Sequence, residues 1–555
     1  MKNQNCLFLL QIQFILLLQF TLITTSFSQE NGSFGAPLIR LDTIEAQFLR
    51  KLTSDDIRFL RVIVDDANRR LEDKGLKAAF DNQFSELVNE VNEAYRLRDY
   101  RRYFVMANRF LQLFNGKAVN EGSEVASSLQ IGLNARLLTA PQTLKISLEP
   151  LYKFPLNEGP YTAKISLISK DEENAVTELK TFTIDELKYF SHLLGTVGLK
   201  KGSYEIQYDL MDKNERKIID GVTYKFQITE SLDNKLAKLK RDLYYLRERK
   251  TESVGIPHRF CLQAIEYNYQ YLDRASKQYI GNNQEIEFPM VIQNRGNINL
   301  NSQFIDYKGI ITLSEEMIED LIREKNPLES LKGEIRLAYL DKKTNALLPF
   351  SVYIPERYKS DKSFPMVVAL HHEGGDESSL YNAFIDPVSS EKLLKKYADE
   401  RNFILLFPKD RDVFSGYEGQ SAVDVMEIAV WMQKIYPINA ERIFLMGYGS
   451  GGGAVIRLGF RNYSYFAGLA TINRGVDEFM SFKGIPERAL GLPLKIYITG
   501  KENDMISQKS ESSVKTMKEL LSSFTYTKFI EEEEKRAMVV TIQNIFDFFT
   551  VTRKK

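Results

Sequence analysis

Between residues 40 and 116 the apolar positions recur every three or four residues, the spacing of one buried helix face. Ile57, Leu60, Val64, Ala67 and Leu71 form one series, and Asp42 with Glu45 has the spacing of a capping box ahead of it. Gly75 offers a stop. Phe84, Leu87, Val88 and Val91, then Tyr103, Phe104, Ala107 and Phe110, continue the pattern to Gly116, so 40–116 is predicted to be a helical region. The period then falls to two. Leu144, Ile146 and Leu148 alternate with polar residues, as do Tyr204, Ile206, Tyr208 and Leu210, and Val222, Tyr224, Phe226 and Ile228. Strands with one solvated face predict an antiparallel β-sandwich-like domain over 120–229. Inside it, "TIDELKYFSHLLG" reads as a helical insertion carrying His192, a surface or packed histidine by default. From residue 230 the helical period returns. Leu232, Leu236, Leu239, Leu243 and Leu246 alternate spacings of four and three, the seam of a helix pair. A partner helix over 260–280 would complete a helical hairpin or linker spanning 230–330. Lys235, Lys238, Lys240 and Arg241 then form its solvated face.

The last block, 331–555, has a different texture. "MVVAL" (366–370), "FILLFP" (403–408), "RIFLMG" (442–447) and "LKIYITG" (494–500) are short continuous apolar runs, separated by helical patterns and each followed by a loop. Strands buried on both faces read this way, which predicts an α/β unit with a parallel sheet. Ligands in such sheets bind at the carboxyl ends of the strands.

Composition narrows the picture at three points. A chain of 555 residues suggests three to four domains. Its 74 basic residues balance 74 acidic ones, which argues against a nucleic-acid partner. The N-terminus, "MKNQNCLFLLQIQFILLLQFTLITTSFSQE", has a positive start, an apolar centre and small residues at Ser26 and Ser28. We read 1–28 as a signal peptide cleaved after Ser28, giving a secreted or periplasmic protein with no transmembrane span after cleavage. Removal of Cys6 with that segment would leave Cys261 as the single cysteine, three residues after His258, where a buried, inert thiol is expected.

Chemistry concentrates in the last block. "PFSVYIPERY", "PMVVALHHEGGDESS", "SGYEGQSAVDVMEIAVWMQKIYPINAERIFLMGYGSGGG" and "IFDFF" follow one another over about the last two-fifths of the chain. Together they resemble the esterase branch of the α/β-hydrolases, the polyhydroxybutyrate-depolymerase-like and feruloyl-esterase-like enzymes. The resemblance implies an α/β-hydrolase fold preceded by the helical region, the β-sandwich-like domain and the second helical segment. It also implies hydrolysis of carboxylic esters by Ser, His and Asp, with backbone amides holding the oxyanion.

Set against that pattern, the catalytic residues depart from it. The family's elbow reads small-x-nucleophile-x-small; Gly447 and Gly451 fit the small positions, which puts Gly449 at the apex and Ser450 one residue late. Making Ser450 the apex would put Tyr448 where a small residue is needed. Glycine takes the strained apex backbone at no steric cost. The chain has four histidines, His192, His258, His371 and His372, and none follows His372, although the family carries its catalytic base between the last strand and "IFDFF". In "GKENDMIS" the acid position falls on Asn503 or, one residue on, Asp504. The oxyanion side is better kept: Gly374 and Gly375 in "LHHEGGDE", together with the Ser450 amide, would supply backbone donors. His371 and His372 make a poor metal site, because adjacent residues on an extended run point to opposite sides and no third ligand is evident. Neither metal nor cofactor is expected.

Three readings stay open. One is an exported esterase-like protein without catalysis, which binds a small carbonyl- or carboxylate-bearing ligand. The second is an active carboxylic-ester hydrolase using Ser450 with His371 or His372 and Asp504. The third is an interaction scaffold that engages a protein partner through the N-terminal domains.

Overall fold

The computed structural model describes residues 57, 60, 61, 64, 82–114, 119–171, 174–249, 255–277, 304–372, 375–411, 416–473, 489, 491–499, 524–529 and 534–554. The expected signal peptide (1–28), Asp42, Glu45, Gly374 and Asp504 lie outside the described residues. None of the described helices is long and apolar enough to cross a membrane. The chain divides into two compact units. One holds the described residues up to Leu236 together with Tyr271–Tyr307; the other holds Ala237–Gln270 and everything from Lys308 on.

The first elements described in full in the first unit are two amphipathic helices, α1 (Asn82–Arg96) and α2 (Tyr100–Phe114). Leu87, Val91 and Ala94 of α1 and Tyr103, Ala107 and Phe110 of α2 are buried, and the rings of Tyr95 and Tyr103 meet at 5.2 Å. The span expected to begin the strands instead opens with a helix, α3 (Glu121–Ser128), buried along its whole length. Its polar sequence disguises its position, because each charge has an internal partner. Glu124 pairs with Arg109 at 2.6 Å and accepts from the Tyr152 hydroxyl, and Glu121 accepts the Asn157 and Glu158 amides and the Tyr161 hydroxyl. Buried charges are tolerated on these terms.

Eight strands follow: β1 (Leu129–Leu133), β2 (Leu137–Thr139), β3 (Thr143–Pro150), β4 (Tyr161–Ser169), β5 (Val176–Ile184), β6 (Phe190–Gly195), β7 (Gly202–Met211) and β8 (Lys217–Thr229). They form a three-stranded sheet, β1-β3-β6, and a five-stranded one, β2-β8-β7-β4-β5. All pairs are antiparallel except β2 with β8, which is parallel. "TIDELKYFSHLLG" is not a helical insertion. It is the end of β5, a turn, and β6, with His192 opposite Ile146 of β3. Phe190, His192 and Leu194 sit opposite Leu148, Ile146 and Leu144, so cross-strand pairing of one face overrides the local helix formers Glu186, Leu187 and Lys188.

Helices α4 (Leu232–Glu248), α5 (Ile256–Lys277), α6 (Tyr307–Ile322) and the single turn α7 (Pro327–Ser330) come next. All five seam leucines of α4 are buried. Most of this segment counts with the second unit: Phe260 of α5 is packed there against Phe350 (5.8 Å between rings) and Trp431 (5.2 Å). Cys261, one residue on, is fully buried, and burial pushes its thiol up, as befits a core residue.

The rest of the second unit comprises β9 (Gly333–Asp341), β10 (Ala346–Ile354), β11 (Phe364–Leu370), α8 (Ser379–Ala383), α9 (Leu393–Arg401), β12 (Ile404–Pro408), α10 (Gln420–Ile435), β13 (Ile438–Tyr448), α11 (Ser450–Arg461), β14 (Gly468–Ile472), β15 (Leu494–Thr499), β16 (Phe524–Phe529) and α12 (Glu534–Val551). The eight strands run in the order β9-β10-β12-β11-β13-β14-β15-β16. β10 is antiparallel to both neighbours, and every pair from β12 to β16 is parallel. One core cluster joins Val367, Leu405, Phe444 and Met446 of the sheet to Leu394 and Tyr397 of α9 and to Ile545, Phe546 and Phe549 of α12. A sheet covered in this way needs continuous apolar strands, which explains the runs in the sequence. The antiparallel start, the exchanged β12 and β11, and the parallel remainder are the α/β-hydrolase arrangement.

Candidate active site

The site lies where β11, β12 and β13 end. β13 finishes at Tyr448 and α11 starts at Ser450, leaving Gly449 alone to turn the chain, at φ 57° and ψ −123°. That region is open to glycine and costs any other residue strain. Two close approaches fix the register of the turn. A Cβ on Gly447 would stand 2.5 Å from the carbonyl carbon of Gly451, and one on Gly451 would stand 2.5 Å from the carbonyl oxygen of His371. Only a glycine fits at either position, so Gly449 is the residue midway between the two small positions. Its amide donates to the Ile472 carbonyl at 3.1 Å, and its carbonyl accepts from Gly452 and Gly453 as the helix begins. The first-turn amides, Ser450 among them, therefore head the positive end of α11.

Tyr448 points the other way. Its ring is buried edge-on against Phe384 at 5.5 Å and His372 at 5.6 Å. His371 and His372 diverge, as adjacent residues on an extended segment must. The ring of His371 lies against Tyr417 at 5.2 Å, on the side of the loop that follows β12.

His371 is buried and both its ring nitrogens are engaged. Nε2 accepts from the Asp410 amide at 3.1 Å, and Nδ1 lies 2.7 Å from the His372 carbonyl oxygen. Since Nε2 is the acceptor, Nδ1 carries the proton and donates. Burial holds the imidazole below the usual histidine range, against opposing pulls from the His372 carbonyl, Asp376 and Asp410. The His372 carbonyl also accepts the Gly375 amide at 3.1 Å, and a Cβ on Gly375 would come within 2.8 Å of His371 Nδ1. The ring and the glycine fit only together.

Asp410 and Tyr417 are not among the residues that the sequence singles out for the site, although "PKDRDVFSGYEG" has the Asp- and Gly-rich texture of a functional loop. The Asp410 carboxylate accepts the Tyr417 amide at 2.9 Å. The Tyr417 hydroxyl accepts the His371 amide at 3.1 Å and donates to the Pro408 carbonyl at 3.0 Å. Arg457 of α11 donates to the Gly416 carbonyl at 2.6 Å, and a Cβ on Gly416 would lie 3.9 Å from the Cβ of Ser450. At the start of the same loop, next to Asp410, Arg411 bridges Asp341 and Asp424 and so ties β9 to α10. Asp376 accepts from the hydroxyls of Ser378 and Ser379. Burial would raise its carboxyl, but Ser379, Arg336, Lys409 and Ser378 hold it down at about 2.

Of the residues singled out in the sequence, the structure brings together Gly449, Ser450, Gly375, His371 and His372. His258 sits on α5, and His192 belongs to the first unit. Among the described residues no group of three His, Cys, Asp or Glu side chains is placed to hold a metal ion.

No protein-family model matches the chain. Solved structures similar to it include the fluorophosphonate-binding serine hydrolase F of Staphylococcus aureus in its substrate-bound form, at 16% identity and a TM-score of 0.33, covering 39% of this chain and 98% of that one. A ferulic acid esterase of Anaeromyces mucronatus is 15% identical, with a TM-score of 0.32, over 40% of this chain and 92% of that one. A thermostable esterase covers 76% of this chain and 100% of its own, at 12% identity and a TM-score of 0.35. Such likenesses are distant, and the fold rests on the strand order and the elbow. On those two features, the second unit of this chain has the α/β-hydrolase fold.

Proposed function

We propose that this is an exported, esterase-like protein whose hydrolase unit binds a small carbonyl- or carboxylate-bearing ligand without cleaving it. The observation that carries the reading is Gly449 at the elbow apex, with its register fixed by Gly447 and Gly451. A glycine there offers no nucleophile. Ser450, the next residue, opens the helix, where its amide is a suitable anion donor. The alternative in which Ser450 attacks with His371 or His372 as its base is disfavoured, for His371, by the hydrogen bonds of that ring. The lone pair a base would use already accepts the Asp410 amide. The N-terminal sequence pattern is what supports the export part of the reading.

Fluorophosphonate labelling of the folded protein tests this directly, because the probe reports an activated serine beside an oxyanion site. The expected result, by intact mass, is no adduct while an active serine esterase in the same tube is labelled. A stoichiometric adduct mapped to Ser450 would overturn the reading and make the protein an esterase with a rebuilt triad.

A further inference from the structure

His371 touches three separate pieces of the site. Its carbonyl oxygen lies against Gly451 at the start of α11. Its ring accepts from the Asp410 amide in the loop after β12, and donates to the His372 carbonyl, where the loop after β11 begins. Its own amide donates to the Tyr417 hydroxyl. We propose that His371 is the positioning residue of this site: in one neutral tautomer, Nδ1–H, it clamps the loop after β11 to the loop after β12 and so sets where both loops stand around the elbow.

The clamp depends on complementary roles at the two nitrogens. A second proton on Nε2 would set an N–H against the N–H of Asp410, two donors facing each other in a buried space. The ionisable groups around the ring are His372 on its own segment, Asp376 in the loop after β11, and Lys409, Asp410 and Tyr417 in the loop after β12. α11 presents the backbone of Gly451 to this residue. Asp376 and Asp410 favour the cationic ring, whereas burial and Lys409 oppose it. Opening of the clamp is therefore expected in acid, below the range in which an exposed histidine titrates. The inference concerns loop geometry and holds whether or not Ser450 attacks an ester.

With four histidines in the chain, ring-¹⁵N histidine labelling of the full-length protein gives a readable spectrum, and His371→Gln assigns the signal. Long-range proton–nitrogen correlation should show Nδ1 protonated and Nε2 as an unprotonated acceptor, unchanged as pH falls through the point where an exposed histidine has titrated. An Nε2–H tautomer, or titration like that of a free histidine, would overturn the proposal, and both can be read on the unmutated protein.

Hydrogen exchange of the Asp410 amide adds a second readout. His371→Gln keeps an acceptor near the Nε2 position, whereas His371→Asn keeps only a donor near Nδ1. Protection of the Asp410 amide should survive in the Gln variant and fall by about tenfold or more in the Asn variant, the consequence of losing one buried hydrogen bond. Equal loss in both variants would reduce His371 to a space-filling role and sink the clamp.

Discussion

Gly447 leaves no room for a Cβ against the backbone of Gly451, and Gly451 leaves none against the Leu370 and His371 carbonyls, so these two glycines, rather than the serine beside them, define the turn. A methyl group at 447 would press on the backbone of Gly451 and Gly452, and backbone in a helix start cannot step aside as a side-chain tip can. Gly447→Ala and Gly451→Ala should each destabilise the second unit by about 1–3 kcal/mol or more through overpacking. Thermal unfolding of the two variants checks this, and an unchanged midpoint in either would mean that the register is misplaced.

At Gly449 the expected effect is one of strain alone. A side chain there must adopt φ 57°, so Gly449→Ser should cost about 1–3 kcal/mol in stability. It should also gain no reactivity towards fluorophosphonates, because the segment before "IFDFF" carries no histidine to activate the new hydroxyl. Mass spectrometry of the treated variant decides the point; a label on the introduced serine would mean that a base reaches the elbow apex and would overturn this expectation.

Three of the four histidines, His192, His258 and His371, are held below the usual range, with burial as the leading cause in each. A lowered folded value means that the unfolded chain binds more protons between the two values. Their neutral forms therefore support folding fully above the unfolded histidine range, near pH 6.5, and that support is lost as pH falls towards the folded values. The urea midpoint should drop between pH 7 and pH 5, and His371→Gln should flatten the part of the slope that belongs to the second unit. A midpoint that rises on acidification would reverse the sign.

Phe260 is buried against Phe350 and Trp431 within the second unit. If α5 is part of that core, Phe260→Ala should cost about 3–5 kcal/mol, the usual penalty for emptying a large aromatic site. An effect below about 1 kcal/mol in chemical denaturation would return the 230–330 segment to the status of a linker.

Cys261 should be silent. With its thiol fully buried and pushed upward by burial, it should not react with an aromatic disulfide reagent in the native protein, yet should react once the chain is unfolded in urea. Rapid native reaction would place it at an opening instead.

Local sequence determined a good deal here. The runs "MVVAL", "FILLFP" and "RIFLMG" are apolar at consecutive positions, and only strands covered on both faces require that, so the parallel sheet could be read directly. The Gly-Tyr-Gly-Ser-Gly spacing likewise carried the elbow, because steric limits on a sharp turn act within five residues. Where partners lie far apart in the chain, the sequence was silent or misleading. "EGSEVASS" reads as exposed until Arg109, Tyr152 and Tyr161 come in to satisfy its glutamates, and "FSHLL" reads as a helix until β3 pairs with it. The same holds at the site. Two adjacent histidines offered equal candidates for a base, and no local rule separates them. Folding does so, by bringing the amide of Asp410, thirty-nine residues away, onto the Nε2 of one ring and Tyr448 against the other. A hydrogen-bond partner fixed by strand order belongs to the tertiary structure, and it is what made His371 a clamp.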